Sequence, residues 1–465
     1  MKPYKDIAHL FDDLGIRHGA SLSFHHHLRN GDAVQNLVLD EVKRRNLKAL
    51  DLYPSAVFPV HTTLLSLLKA GHIKRLTTNY LNGPVADYFA THGTPDMLRM
   101  QSHGGRARAI IEGDNAIDVA FIAAPAVDRE GNATGLEGPA ACGSLGYAME
   151  DVKHASTVVL ITDTLVDRLD GAQIIGADVD HVLLVNSIGD ATGILSGTLS
   201  LTRDPIGVKI ARTAMRLLDA LDVVNDGFSF QSGAGGISLR VVDMLHEKMK
   251  RDHIRASFFS GGITAYHVTM LESGLVETLY DVQCFDLEAV ASLKRNANHI
   301  AISADRYANP RNDARVIATL DCVILGATEI DTDFNVNVTT DSHNTIIGGS
   351  GGHSDTAEDA GLSIIVTPLI KGRIPVIKDR VTTITTPGST IDVLITERGV
   401  AVNPARSDIQ TRLDKAGFST TSITDLMRTA HALCGVPATT ARQVNPVGFV
   451  ESRHGKRLDT LYTKE

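Results

Sequence analysis

Two kinds of periodicity alternate along the chain. Short runs rich in β-branched residues, such as 158–162 and 181–185, alternate with segments that carry apolar residues at helical spacing, such as 32–46 and 206–221. Buried parallel strands are typically continuous apolar runs, while amphipathic helices place apolar residues three and four positions apart. The alternation therefore predicts an α/β fold with mostly parallel sheets.

This pattern occurs twice. Residues 118–132 (DVAFIAAPAVDREGN) and 321–335 (DCVILGATEIDTDFN) both begin with Asp, carry a second Asp ten positions later and end with Asn. Further matches keep the same order at offsets of 206 or 207: Ser23-Phe24 with Ser229-Phe230, the helical faces of 34–42 and 241–249, and Gly143-Ser144 with Gly349-Ser350. We interpret the chain as two homologous tandem domains, residues 1–203 and 204–465, the second opening with a helix after Asp204-Pro205.

Composition excludes several classes of protein. Hydrophobic residues make up 43% and charged residues 21%, as in ordinary globular proteins. The net charge of −9 argues against a general role in nucleic-acid binding. No apolar segment resembles a signal peptide or membrane span, and the four cysteines form no CxxC pair. These features predict a cytoplasmic protein with free thiols and no contact with membranes.

Glycines concentrate in loops of both halves, and the richest clusters among the 40 lie in two loops of the second domain. Residues 231–236 (QSGAGG) and 348–352 (GGSGG) each connect a predicted strand to a predicted helix. Backbone N–H groups exposed at such a helix N-terminus can bind an anion or a developing oxyanion, although tight turns alone would also explain the glycines. Neither loop matches GxGxxG or GxxxxGK[ST], which disfavours dinucleotides and nucleoside triphosphates as ligands.

The second loop also satisfies the GxSxG pattern of serine hydrolases. Ser350 would be the nucleophile, with Asp392 and either His431 or His454 completing the triad. The equivalent Gly143-Ser144 of the first domain lacks this pattern. A serine hydrolase is therefore kept as an alternative only.

Two polar loops of the first domain are candidates for binding an anionic substrate. In SFHHHLRNGD, His25 and His27 would share one side of an extended run and contact a carboxylate; a metal site or a hydrogen-bonded loop are alternatives. No further metal ligands are indicated, so we predict no metal. In SHGGR, His103 and Arg106 form a second donor-rich turn, where Arg would bind a carboxylate through two hydrogen bonds or stay solvated.

Together these blocks resemble the CoA-transferases, and among them the alpha subunits of citrate lyase. The resemblance extends from about residue 15 to the end and is carried by SFHHHLRNGD, SHGGR, CGSLGYA, GGIT, residues 326–338 and GGSGGHSDTA. It implies an enzyme that exchanges the acetyl group of an acetylated acyl carrier protein, or of acetyl-CoA, for citrate and releases acetate. It also implies an oligomer in complex with lyase (beta) and acyl carrier (gamma) subunits, without a permanently bound cofactor.

The resemblance also assigns candidate roles to residues. Backbone groups of the first Gly-rich loop would hold the thioester, with Gly235 and Gly236 as the oxyanion hole, and the second loop would line the pantetheine arm. The full set for the thioester is Gly233, Ala234, Gly235, Gly236, Gly348, Gly349, Gly351, Gly352 and His353. Citrate would be held by His25, His27, His103 and Arg106, while Glu329 is the candidate catalytic acid and Glu397 a further candidate.

One departure from the family pattern concerns the nucleophile. Many CoA-transferases carry a Glu just before the segment that matches 269–274, but here 260–263 reads Ser-Gly-Gly-Ile, with Gly261 in the place of Glu. This departure agrees with the resemblance to the citrate lyase type, which implies that a carboxylate of citrate attacks the thioester and forms a mixed anhydride without a covalent enzyme–CoA intermediate. The alternatives are a Glu-dependent acetate or hydroxy-acid CoA-transferase and a non-catalytic scaffold subunit.

Overall fold

The computed structural model describes residues 2–195, 200–436 and 444–464. In the first half the strands are β1 (Ser21–Phe24), β2 (Leu50–Pro54), β3 (Ile73–Thr78), β4 (Leu98–Met100), β5 (Val119–Ala123), β6 (Ala126–Asp128), β7 (Ala133–Thr134), β8 (Thr157–Thr162), β9 (Leu165–Val166) and β10 (His181–Leu184). The helices are α1 (Ile7–Leu14), α2 (Val34–Arg44), α3 (Thr62–Lys69), α4 (Pro84–Phe89), α5 (His103–Ile111) and α6 (Ala148–His154).

The second half carries more strands and longer helices. Its strands are β11 (Ser229–Ser232), β12 (Ala256–Ile263), β13 (Val276–Cys284), β14 (His299–Ala301), β15 (Cys322–Leu325), β16 (Glu329–Asp331), β17 (Val336–Asn337), β18 (Leu362–Val366), β19 (Ile370–Lys371), β20 (Ile374–Pro375), β21 (Ile377–Lys378), β22 (Val393–Thr396), β23 (Gly399–Val402), β24 (Pro446–Glu451) and β25 (Arg457–Tyr462). Its helices are α7 (Pro205–Ala220), α8 (Gly236–Asp252), α9 (Ala265–Glu272), α10 (Leu287–Arg295), α11 (Ala304–Ala308), α12 (His353–Asp359), α13 (Ser407–Lys415) and α14 (Ile423–Cys434).

Two large sheets organise these elements. The first has the order β10-β8-β5-β1-β2-β3-β4-β24-β25 and the second has the order β14-β13-β12-β11-β15-β18-β22-β23. Neighbouring strands are parallel from β10 to β24 and from β14 to β22, and only the terminal pairs β24–β25 and β22–β23 are antiparallel. The predicted α/β class with mostly parallel sheets is confirmed.

The two sheets repeat one strand order, with β1 equivalent to β11. Read from β10 to β4, the first sheet has the order β10-β8-β5-β1-β2-β3-β4. Read from β22 to β14, the second has the corresponding order β22-β18-β15-β11-β12-β13-β14. The first residue of the central strand hydrogen-bonds an Asp in both halves: the Ser21 amide to Asp118 and the Ser229 amide to Asp321, each at 2.8 Å. Ser229 is therefore equivalent to Ser21, and the predicted match with Ser23 is wrong by two residues. The sequence pattern allows this error, because a shift of two residues preserves the alternation of side chains along a strand.

The repeated Asp and Asn of the first matched block have a structural role. The carboxylates of Asp128 and Asp331 each accept the backbone N–H groups two and four residues later. The side-chain amides of Asn132 and Asn335 donate back to these carboxylates, at 2.9 and 3.1 Å. The motif therefore fixes the same turn after the same strand in both halves.

The C-terminal hairpin returns to the first half. Strand β24 pairs in parallel with β4, and Glu451 on it accepts hydrogen bonds from Arg99 Nε at 2.6 Å and from Gln101 Nε2 at 2.9 Å. The predicted second domain, residues 204–465, thus supplies two strands to the first sheet, which no local pattern in the sequence indicates. The boundary near residue 203 stays a prediction.

The helices and cysteines add two observations. Within the described ranges, no helix has both the length and the apolar composition needed to cross a membrane. All four cysteines are free thiols, and Cys142, Cys284 and Cys322 are buried.

Candidate functional site

The carboxyl ends of the two parallel sheets face each other across the junction of the halves. Gln283, at the end of β13, donates a hydrogen bond of 3.0 Å to the backbone carbonyl of His26, which follows β1. Ser102, after β4, donates to Asp355 of α12 at 2.6 Å. Ligands of parallel α/β sheets bind beyond the carboxyl ends of the strands. This junction is therefore the candidate site.

The three histidines after β1 are buried at this junction. His26 Nδ1 lies 2.6 Å from Ser55 Oγ, and His27 Nε2 accepts the Tyr147 amide at 3.2 Å. His27 Nδ1 therefore carries the proton and donates it to His25 Nδ1, which places the remaining proton of His25 on Nε2. That nitrogen is buried and has no hydrogen-bond partner among the described residues. The prediction that His25 and His27 share one side is confirmed.

His103 connects the histidine loop to the second Gly-rich loop. Its Nδ1 accepts a hydrogen bond of 3.0 Å from Asn79 Nδ2, so the proton of the neutral ring is on Nε2. A Cβ atom on Gly351 would lie 3.3 Å from this nitrogen. The ring of Tyr147 packs against those of His103 and His26, with centroid distances of 4.4 and 4.7 Å, and the two imidazole centroids lie 6.0 Å apart. The site thus combines donors from the first half with backbone from the second.

Burial keeps these histidines neutral. Desolvation lowers the pKa of His25 to about 4 and that of His103 to about 3, and the nearby Arg106 guanidinium adds to both shifts. The imidazoles therefore supply hydrogen-bond donors at neutral pH rather than positive charge. Across the described part of the chain, no three or more His, Cys, Asp or Glu side chains are placed to hold a metal ion.

The lowered pKa values predict a fall in stability on mild acidification. An unfolded histidine has a pKa of about 6.5, so between about pH 4 and 6.5 the unfolded chain binds more protons than the folded chain. Stability is therefore full above this window and is lost as the pH falls through it. We expect a lower urea midpoint at about pH 5.5 than at about pH 7.5.

His103→Gln provides the control for this pH dependence, because the variant keeps a neutral donor that does not titrate. The difference between its two midpoints should be smaller than in the unchanged chain. Asp355 has the opposite effect on stability, because burial raises its pKa to about 6 and acidification therefore favours its folded state. Six buried histidines with lowered pKa values outweigh this one carboxyl group. Equal midpoints at the two pH values would contradict this account.

The second Gly-rich loop packs directly against side chains of the junction. A Cβ atom on Gly352 would lie 2.4 Å from the hydroxyl oxygen of Tyr307, and one on Gly349 would lie 2.3 Å from the carbonyl oxygen of Asn79. The Tyr307 hydroxyl accepts a 2.8 Å hydrogen bond from Gln231, at the end of β11. These two glycines are therefore required by close packing, and contact with a pantetheine arm stays a prediction.

The first Gly-rich loop forms the N-terminus of the 17-residue helix α8. Gly235 is the N-cap residue, and the Gly233 amide donates to the carbonyl of Ile324 at 2.8 Å. The described residues provide no acceptor for the amides of Ala234, Gly235 and Gly236. These three N–H groups, with the positive end of the helix dipole, form an arrangement that binds anions. The predicted strand–loop–helix geometry is confirmed.

Comparison with known proteins identifies the family to which this site belongs. The family described as "Citrate lyase, alpha subunit (CitF)" matches residues 2–464. The chain belongs to the citrate lyase alpha subunit family. The family predicted from the sequence motifs is thereby confirmed, as is the prediction that the chain is an enzyme subunit of the CoA-transferase type.

Individual relatives agree with this family. The citrate lyase alpha chain of Escherichia coli is 42% identical over 449 residues, which cover 96% of this chain and 88% of the relative. A crystal structure of the citrate lyase alpha subunit of Streptococcus mutans in complex with citrate has a TM-score of 0.96 at 40% identity, covering 100% of this chain and 91% of that one. The malonate decarboxylase alpha subunit of Acinetobacter baumannii (TM-score 0.66, 14% identity, 93% and 92% coverage) shares the fold.

Arg106 does not serve as the predicted carboxylate ligand. It is buried within α5, and its two terminal nitrogens donate to the two carboxylate oxygens of Asp151, each at 2.8 Å. It also donates to the backbone carbonyls of Tyr53 and Tyr147. Because its charge is already paired, Arg106 does not belong to the predicted citrate-binding set. It joins α5 to α6 instead.

Glu329 is also a structural residue rather than the predicted catalytic acid. Its carboxylate is buried and accepts hydrogen bonds from Asn337 Nδ2 at 3.0 Å, Ser342 Oγ at 2.5 Å and the Thr382 amide at 2.9 Å. Glu397 accepts the amide of Leu369 at 2.9 Å. Both carboxylates hold neighbouring backbone in place within the second half.

His353 has no nitrogen left for a substrate. Nδ1 lies 2.8 Å from Thr386 Oγ1 and Nε2 lies 2.8 Å from the carbonyl oxygen of Gly326. Its predicted contact with a thioester is therefore replaced by a role in anchoring the start of α12 to the end of β15.

The serine hydrolase alternative is wrong. Ser350 Oγ hydrogen-bonds Ser354 Oγ at 2.7 Å, without a histidine partner among the described residues. Asp392 is bonded to Arg406, and His454 Nε2 lies 2.6 Å from Glu358. The residues that GxSxG spacing would combine into a triad thus have separate partners.

Sequence reasoning missed one prominent residue of the junction. The guanidinium carbon of Arg29 lies 5.4 Å from the ring centroid of Phe58 and 5.0 Å from that of Phe285. Arg29 is part of SFHHHLRNGD, so its position was marked, but its importance depends on which side chains surround it. The same holds for Tyr147 in CGSLGYA and Gln231 in QSGAGG, while Tyr307 lies in no motif.

Proposed function

We propose that this chain catalyses the exchange of an acetyl thioester and citrate, giving a citryl thioester and acetate. The observation that carries the proposal is the junction of the two sheets, where neutral imidazole donors of the first half meet the second Gly-rich loop, with Gly351 beside His103. Membership of the citrate lyase alpha subunit family and the citrate complex of the Streptococcus mutans relative support this substrate.

The nucleophile in this proposal is citrate. Strand β12 reads Ser260-Gly261-Gly262 where other CoA-transferases carry Glu, and Gly261 has a φ of 100°. A Cβ atom there would lie 2.9 Å from the carboxamide of Gln231, and residues with a side chain rarely adopt this φ, so the position disfavours a larger residue as well as lacking a carboxylate. A carboxylate of bound citrate therefore attacks the acetyl carbonyl carbon.

The exchange then proceeds in two balanced steps. In the first, the new C–O bond replaces the C–S bond, which gives acetyl-citryl anhydride and a thiolate. In the second, the thiolate attacks the citryl carbonyl carbon of the anhydride and acetate leaves. Each step passes through an oxyanion, and one well-placed donor contributes about 3–4 kcal/mol to its stabilisation. The amides of Gly235 and Gly236, which have no acceptor among the described residues, are the donors in this proposal.

Binding both reactants in one place supplies much of the remaining rate enhancement. Positioning two reactants is worth about 7–11 kcal/mol when they are held in a reactive geometry. The acyl group arrives on acetyl-CoA or on the phosphopantetheine of an acyl carrier, as a substrate and not as a resident cofactor. Beta and gamma subunits of citrate lyase are the proposed partners in a cytoplasmic oligomer, and the family description as an alpha subunit supports such a complex.

An exchange assay tests this function. Purified chain is incubated with acetyl-labelled acetyl-CoA and a panel of di- and tricarboxylates, and released acetate is measured. We expect release with citrate and no hydroxylamine-sensitive thioester on the protein, because no carboxylate replaces the missing Glu at Gly261. A glutamyl-CoA adduct in the mass spectrum would overturn the anhydride route and favour a Glu-dependent CoA-transferase. No acetate release with any acid would favour a scaffold role.

A further inference from the structure

Arg29 is a cation without a counter-ion at the junction of the two halves. It follows the histidine loop, is half-buried and adopts a φ of 52°. Its guanidinium packs against Phe58 of the first half and Phe285 of the second. No carboxylate of the described residues forms an ion pair or hydrogen bond with it. By contrast, the guanidinium groups of Arg106, Arg108 and Arg453 are all paired with acids.

Among the described residues, the surroundings of Arg29 provide no compensating negative charge. The groups that act on it electrostatically are the phenols of Tyr80 and Tyr147, and desolvation lowers its pKa. Arginine nevertheless stays protonated in proteins. The adjacent His26 has a pKa well below its usual value, with desolvation as the main cause and Arg29 among the others, so it stays neutral. A partly desolvated charge without a partner is costly, and an anionic ligand would remove that cost.

The chemistry of the exchange indicates which anion this is. The attacking carboxylate of citrate loses its charge when the anhydride forms, so an ion pair to it would weaken the nucleophile and be lost during the reaction. The other two carboxylates keep their charge in citrate, in the anhydride and in the citryl thioester. A guanidinium that binds one of these holds the substrate through every step.

We infer that Arg29 binds a non-reacting carboxylate of the substrate and thereby selects polycarboxylates over monocarboxylates. This inference rests on the proposed exchange function and adds to it the residue that determines specificity. Acetate, the product, has no second carboxylate to bind Arg29 and so leaves readily. The net charge of −9 makes such a local positive group necessary for an anionic substrate.

The test compares Arg29→Gln with Arg29→Lys in the exchange assay. For Arg29→Gln we expect the KM for citrate to rise at least about tenfold while kcat changes less than about threefold, because binding is lost equally in the ground and transition states. Arg29→Lys should fall between this variant and the unchanged chain, since it keeps the charge but not the planar fork.

Arg373→Gln is the matched control. Arg373 is exposed and has a φ of 66°, so the substitution removes the same charge from a similar backbone conformation away from the junction. Its KM for citrate should be unchanged, and citrate should stabilise it against heat as it stabilises the unchanged chain. That stabilisation should be lost in Arg29→Gln.

The outcomes separate the two proposals. If the unchanged chain releases acetate with citrate but Arg29→Gln keeps its KM and its stabilisation by citrate, the inference about Arg29 is wrong and the exchange function stands. If the unchanged chain releases no acetate, the exchange function itself fails. A urea midpoint equal to that of Arg373→Gln excludes misfolding as the reason for a changed KM.

Discussion

Replacing Gly235 by Pro is expected to lower kcat for the exchange by about 10²–10³-fold, the effect of removing one oxyanion donor. The substitution deletes one backbone N–H and leaves the rest of the loop in place. The φ of Gly235 is −78°, within the range that the proline ring imposes. A Cβ atom at this position meets no heavy atom within 4 Å, so the larger residue has room.

Gly235→Ala is the matched control for this prediction. It adds the same Cβ atom and keeps the N–H group, so kcat should stay within about threefold of the unchanged chain. Circular dichroism and urea midpoints establish that both variants fold. If the Pro and Ala variants have equal kcat, the Gly235 amide is not an oxyanion donor.

Asp151→Ala is expected to destabilise the protein by about 3–5 kcal/mol, because it leaves the buried Arg106 charge uncompensated. Arg106 and Asp151 are 3% and 1% exposed and form two hydrogen bonds of 2.8 Å. The variant also removes a negative charge that acts on His25. The loss is measured as the change in unfolding free energy from urea titration.

Two further variants distinguish the buried charge from other effects of the substitution. The double variant Arg106→Met with Asp151→Leu should recover most of the lost stability, since replacing a buried ion pair by apolar residues is often neutral. Asp167→Ala removes the partner of Arg129 in a pair whose side chains are 79% and 86% exposed, and should cost less than about 1 kcal/mol. Equal losses for Asp151→Ala and Asp167→Ala would contradict the assignment.

The Arg106–Asp151 pair also explains how the site is positioned. The same guanidinium binds the backbone carbonyl of Tyr147, whose ring packs against both His26 and His103. Weakening the pair would therefore displace the donors of the histidine loop as well as destabilise the fold. We place Arg106 among the residues that support the site, and Arg29 among those that contact substrate.

Much of the fold followed from the sequence alone. Local periodicity is set by how strands and helices bury one face, so the α/β class and the repeated block at 118–132 and 321–335 were visible in one sequence. The Gly-rich loop 231–236 was recognised because a strand, small residues and a helix follow one another directly. What the pattern left open was register, since a shift of two residues keeps the same alternation.

The roles of the charged residues were decided only by the tertiary structure. Arg106 and Glu329 have the residue types expected at a catalytic site, yet Arg106 is paired with an acid 45 residues away and Glu329 accepts hydrogen bonds from donors 8 to 53 residues away. Arg29 lies two residues after His27, and its lack of an acid partner among the described residues is visible only in three dimensions. Whether a charge is free depends on distances to residues remote in sequence, and folding alone determines those distances.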